Sequence, residues 1–65
     1  MEEAFIVNAQ NQPLTTEPVM FARIPVAGDW VSLEGQLLQV IAVLFSITQD
    51  GNRVLVKAVP HSAPA

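Results

Sequence analysis

Between Gly35 and the Asp50-Gly51 pair runs Gln36-Leu37-Leu38-Gln39-Val40-Ile41-Ala42-Val43-Leu44-Phe45-Ser46-Ile47-Thr48, an uncharged segment with large apolar groups at both odd and even positions. Coiled or extended, it carries more apolar surface than one face can hide. Leu37, Leu38, Ile41, Leu44, Phe45 and Thr48 fit a helical face about as well as Leu38, Val40, Ala42 and Leu44 fit a strand face. Three features favour the strand: β-branching at Val40, Ile41, Val43 and Ile47, bounding glycines at 35 and 51, and no capping residue with a Glu or Gln partner at its start. Uniform alternation would send Leu38, Val40, Ala42 and Leu44 inward and leave Leu37, Ile41, Val43, Phe45 and Ile47 facing outward. Each of these outward groups would gain roughly 1.5–3 kcal/mol from burial. Leu37, Ile41, Val43 and Phe45, with Leu55 of the following strand, are therefore the expected subunit interface. A sharp bend, letting each half of the strand serve a different sheet, would internalise part of this set.

The rest of the chain supplies short strands and turns around that segment. Ala4-Phe5-Ile6-Val7 reads as a first strand, and the polar stretch from Ala9 to Pro18 as a loop. Val19 to Ile24 is a weaker strand ending at Pro25, and Ile24-Pro25-Val26 is extended in any case, because the residue before a proline is driven out of the helical region. Gly28-Asp29 marks a turn. After it, Val31 and Leu33 point one way, and Trp30, Ser32 and Glu34 the other. Glu34-Gly35 reverses the chain into the long strand, and Asp50-Gly51 is a hairpin signal leading into Asn52 to Val59. There Val54, Val56 and Ala58 share one face, and Arg53, Leu55, Lys57 and Val59 the other. The expectation is an all-β protein, one five-stranded barrel over residues 1–59 with a flexible tail over 60–65.

With 65 residues, the chain makes at most one domain, and a domain near this size buries only about 60% of its unfolded surface. No cysteine is present and histidine occurs once, so neither a disulfide nor a structural zinc site built by this chain can staple the fold. Oligomerisation remains as the stabiliser. Hydrophobic residues make up 51% of the chain and charged residues 14%, too little charge to solvate a small monomer comfortably. The net charge of −3, with Arg23, Arg53 and Lys57 as the only cations, disfavours an extended phosphate footprint. The start, Met1-Glu2-Glu3, lacks the basic residues of a signal peptide, and the longest apolar run falls well short of the roughly 20 residues of a membrane helix. A cytoplasmic protein is expected.

Gly28-Asp29-Trp30-Val31-Ser32-Leu33-Glu34-Gly35, the long apolar strand, Asp50-Gly51-Asn52 and the final strand together resemble the small barrels of SH3-like topology over residues 26–59. Sm-like RNA-binding rings are a weaker second resemblance, similar in size and oligomeric habit. The chain departs from those rings in having no opening helix, no Asp-x-x-x-Asn motif in the corresponding turn and no Arg-Gly pair in the last hairpin.

No catalytic constellation stands out. Glu2, Glu3, Glu17, Asp29, Glu34 and Asp50 are scattered over termini and turns, and Asp29 and Asp50 are accounted for by turn propensity. His61 lies between prolines, and Ser32, Ser46 and Ser62 have no base at readable spacing. A pore on a symmetry axis lined by Gln36, Gln39 and Gln49 is the one remaining arrangement for an enzyme. The expected function is a non-catalytic, homo-oligomeric binding or assembly module with no cofactor and no metal. Trp30, Asp29, Asp50 and Asn52 form its expected ligand rim, unless Trp30 is a lid over one barrel end. The alternative is a ring that binds RNA or single-stranded nucleic acid through Arg53 and Lys57.

Overall fold

A computed structural model of the chain describes residues 1–61. Five strands follow one another: β1 (Glu2–Val7), β2 (Val19–Phe21), β3 (Trp30–Leu33), β4 (Gln36–Thr48) and β5 (Gly51–Pro60). They form one sheet in the order β2-β1-β5-β4-β3, in which β3, β4 and β5 are an antiparallel meander, β1 is antiparallel to β2, and β1 lies parallel to β5. The sheet curls into a half-barrel. β2 and β3 are its two edges.

Local chemistry accounts for the reversals. Glu34 and Gly35 both take positive φ, +50° and +83°, as a two-residue turn between the paired residues Leu33 and Gln36 requires. In the second hairpin Thr48 stands opposite Gly51, so the turn centres on Gln49 and Asp50, one residue earlier than the Asp-Gly pair suggested. Gly51 absorbs the strain at φ +129°, and the Thr48 hydroxyl donates to the Gly51 carbonyl at 2.6 Å. After β1 the Asn8 carboxamide accepts from the backbone N–H groups of Gln10 and Gln12, each at 2.9 Å, which closes a tight loop. Leu14 then donates its N–H to the Ile6 carbonyl at 2.8 Å, so the expected loop turns back along β1 before β2 begins. β2 itself is shorter than expected and stops at Phe21, while Ile24 packs on the core as part of an irregular segment.

The long apolar segment is extended, and its alternation breaks once. Val40 pairs with Ala58 and Ala42 with Lys57, so Ile41 is an extra residue in β4, a β-bulge. Every side chain beyond it changes face relative to uniform alternation. Val43, Phe45 and Ile47 share the core face with Leu38 and Val40, because they stand opposite Val56, Val54 and Asn52 while Leu38 and Val40 stand opposite Pro60 and Ala58. Ala42 and Leu44, expected inside, lie on the outer face opposite Lys57 and Leu55. The inside–outside assignment is thus correct up to Val40 and inverted after it. β5, which alternates without a break, imposes the correction.

The core is small. Ala4, Val40 and Val56 form one buried cluster, capped by Phe21, Ile24, Val31, Val43 and Val54. Ile6, Leu38 and Ala58 form a second, capped by Val19, Phe21, Val31 and Leu33. Val31 and Leu33, which the alternation sets on one face, are thereby placed on the inward one. Pro60 still belongs to β5, and the His61 N–H donates to the Leu37 carbonyl at 2.9 Å, so the ordered chain extends past residue 59. Residues 62–65 of the expected tail lie outside the described residues.

Candidate interaction surface

β4 and β5 outrun their neighbours. β3 pairs with β4 only over Gln36–Gln39, and β1 with β5 only over Phe5–Leu55 to Val7–Lys57. Beyond Ala42 on β4 and before Leu55 on β5 the two strands have only each other as backbone pairing partners, and the resulting two-stranded arm accompanies an elongated shape with extents of 46 × 24 × 21 Å. Apolar groups occupy both faces of the arm: Phe45 and Ile47 on the core face, 64% and 81% exposed, and Leu44 on the outer face, 54% exposed. A cleft of ≈ 230 Å³ lies at its base, between Ile24-Pro25-Val26-Ala27 and the β4 side chains Val43 and Phe45.

The residues expected at the subunit interface divide between regions. Phe45 is on the arm. Val43 is half-buried against the core, Ile41 is exposed at the bulge, and Leu37 is exposed near the other end of β4. Leu55 is half-buried beside Phe5, its partner in β1. Ile47 and Leu44 complete the exposed set on the arm.

At the opposite end the Trp30 indole stands on the outer face and meets the His61 imidazole edge to face, with ring centroids 4.8 Å apart. Half-exposed there, Trp30 does not cover the core. Below it, Asp29 is fixed by the Val26 N–H and by Arg23, each at 3.0 Å from Oδ2. These two contacts, the backbone hydrogen bond foremost, hold the Asp29 carboxyl below its ordinary pKa. The backbone of the same turn joins the sheet: Gly28 N–H donates to Val40 O at 2.8 Å, and Val40 N–H to Asp29 O at 2.9 Å. Trp30 and Asp29 border a shallow cleft of ≈ 360 Å³ with Phe21, Arg23 and Pro25. Asp50 and Asn52 are at the tip of the arm, about 25 Å further along β4 at ~3.3 Å per residue. The four residues expected at one rim therefore occupy two ends of the molecule.

Arg53 and Lys57 project from the outer face of β5, and the Arg53 guanidinium lies 5.9 Å from the centroid of the Phe5 ring. Among the described residues no group of three or more His, Cys, Asp or Glu side chains gathers as a metal site would require, and no helix is long and apolar enough to cross a membrane. The chain matches no family model, no curated protein and no solved structure.

Sequence reasoning missed the arm as a separate object, because it offers only uniform alternation along β4 or a bend that lets each half serve a different sheet. The signal was present in the change of phase of the large side chains, from Leu38 and Val40 to Val43, Phe45 and Ile47. It also missed His61, whose neighbouring prolines suggested a free tail.

Proposed function

We propose that the protein is a non-catalytic assembly module, a small SH3-like barrel whose copies associate through the β4–β5 arm. The observation that carries this reading is the arm itself, a ribbon apolar on both faces with both backbone edges unpaired from Ala42 to Thr48 and from Gly51 to Val54. Exposed edges of this length pair with other strands unless charge or proline blocks them. Here Asp50 at the turn and Arg53 are the only charged residues between Ala42 and Val54, and no proline falls among them. A second copy supplies what the arm lacks, since an identical ribbon offers both a matching edge and a matching set of Phe45, Ile47 and Leu44 side chains. Burial of these three groups alone is worth roughly 1.5–3 kcal/mol each. The meander β3–β4–β5, with the Gly28-Asp29 turn and the Glu34-Gly35 reversal, supports the SH3-like assignment. Leu37 and Ile41 lie outside the unpaired ribbon and are secondary to this contact.

The test is sedimentation of the wild-type chain against Ile47→Lys and Phe45→Lys. The wild type is expected to sediment as an oligomer and both variants to approach the 7.0 kDa mass of one chain. Equal masses for all three would remove the arm as the contact. Both positions lie outside the two buried clusters, so the variants should keep the fold, and circular dichroism checks that they do.

A further inference from the structure

A cavity larger than either cleft lies away from Trp30, where the foot of the arm at Arg53 meets β1. It has a volume of ≈ 480 Å³ and opens on the outer face, where the turned-back segment around Pro13 and Leu14 stands over β1 and β5. That volume falls within the range of small-molecule sites. Phe5, Val7, Leu14 and Leu55 give it an apolar wall, and Arg53, held over the Phe5 ring, supplies a cation to it.

We propose that this cavity binds a small apolar monocarboxylate, its hydrocarbon body against Phe5, Leu14 and Leu55 and its carboxylate on the Arg53 guanidinium. Three observations converge on that chemistry. Of the chain's three cations, Arg23 is tied to Asp29, whereas Arg53 and Lys57 make no ion pair among the described residues and both stand on this face of β5. Guanidinium geometry matches a carboxylate with two parallel hydrogen bonds, and a guanidinium already resting on an aromatic ring loses little freedom in making them. Finally, the Thr15 hydroxyl is buried in the cavity wall without a hydrogen-bond partner among the described residues. A buried hydroxyl left unsatisfied is costly. A χ1 rotation that turned this hydroxyl into the cavity would pair it with a bound carboxylate oxygen as a second donor.

The same face sets the competing charge. Glu3 is exposed two residues before Phe5 in β1, beyond the last pair with β5, and forms no ion pair with Arg53. Glu17 is exposed in the segment that bears Thr15 and Thr16. Both carboxylates add negative charge near the cavity without binding Arg53, which makes Glu3 a control on affinity.

Hexanoate, hexanol and hexylammonium, titrated into the intact protein and followed by backbone amide chemical shifts, test the assignment. Hexanoate is expected to shift Phe5, Leu14, Thr15 and Leu55 saturably, with hexanol at least about tenfold weaker for want of the charge-assisted bonds. Hexylammonium should not bind. Arg53→Gln should weaken hexanoate by a similar factor, Thr15→Val by less, and Glu3→Gln should tighten it. A short peptide ending in a free leucine carboxylate, compared with its amidated form, separates a chain terminus from a free acid as the source of the carboxylate; the free form must win in either case. Absence of a saturable shift, equal binding of hexanol and hexanoate, or unchanged affinity in a folded Arg53→Gln overturns the proposal. Because Arg53 belongs to the arm, the titration is repeated on Ile47→Lys, which changes no cavity residue: saturable hexanoate binding is expected to persist there whether or not the copies associate, and its loss in the folded variant overturns the proposal.

Discussion

The Trp30 indole and the His61 imidazole meet at 88° with 4.8 Å between centroids, and this contact ties the end of β5 to the start of β3 across β4. The backbone bond from His61 to Leu37 fixes the same junction from the other side of the residue. Aromatic pairs of this geometry contribute about 0.5–1.5 kcal/mol. Because Trp30 is half-exposed, His61→Ala should cost about 0.5 kcal/mol, at the low end of that range. Urea unfolding measures the loss, and Trp30 fluorescence should shift to longer wavelength as the indole gains water. An unchanged emission spectrum would mean that the pair is not populated in solution.

Asp29 links stability to pH. Its carboxyl accepts from Val26 N–H and from Arg23, and both bonds require the ionised form at full strength. The folded pKa therefore lies below the unfolded one. With that sign, the stabilisation from Asp29 is complete above the unfolded carboxylate value and is lost as pH falls through the folded value. Asp29→Asn keeps an oxygen for the Val26 N–H but removes the titration, so its urea midpoint should vary less than the wild type's on the acid side of the ordinary carboxylate range. Parallel acid profiles for the two proteins would contradict this origin of the pH dependence.

The bulge at Ile41 makes deletions in β4 unequal. Removing Ile41 lets Ala42 follow Val40 directly, which leaves Val43 on the core face and keeps the pairings beyond it. Removing Leu44 instead can be absorbed only by losing the bulge with Ile41 outward, Ala42 inward and Val43 outward. That exchange forfeits the burial of Val43 against the Ala4–Val40–Val56 cluster, worth up to about 1.5–3 kcal/mol for a side chain of its size. Thermal unfolding should rank the deletion of Ile41 as the milder of the two. The reverse order would mean that the bulge is not where the pairing places it.

How far the sequence could be read follows from which interactions are local. The turns at Gly28-Asp29 and Glu34-Gly35 were legible because backbone conformation there is dictated by the residues themselves. That Val31 shares a face with Leu33, and Val54 with Val56 and Ala58, was legible for the same reason: a period of two needs no partner to be seen. The bulge was not, because Ile41 is extra only with respect to Ala58 and Lys57, residues of another strand. The parallel seat of β1 beside β5, the return of Leu14 onto Ile6 and the meeting of Trp30 with His61 are likewise pairings between distant segments. Of the expected site residues, Trp30 and Asp29 come together because they are adjacent, whereas Asp50 and Asn52 are carried away by the length of β4. The cavity beside Arg53 needed three segments at once and left no trace in the pattern.

Ile6 and Ile47 carry the same side chain in opposite circumstances, and truncating each separates folding from association. Ile6 is fully buried, facing Leu38 and Ala58 from the middle of the sheet, and Ile6→Ala should cost about 2–5 kcal/mol, as deletions in packed cores do. In a domain whose whole stability is of order 5 kcal/mol, that is enough to populate the unfolded chain. Ile47 has almost no intramolecular partner, so Ile47→Ala should leave the unfolding midpoint of dilute, dissociated protein within about 0.5 kcal/mol of the wild type. If copies associate through the arm as proposed, the wild-type midpoint should rise with protein concentration and the same variant should lose that dependence, because association stabilises the folded chain by mass action. Urea titrations of both variants across a range of protein concentrations measure the two effects in one experiment. If Ile47→Ala is as destabilising as Ile6→Ala in the dilute protein, the arm is folded onto its own chain and cannot be the contact between copies.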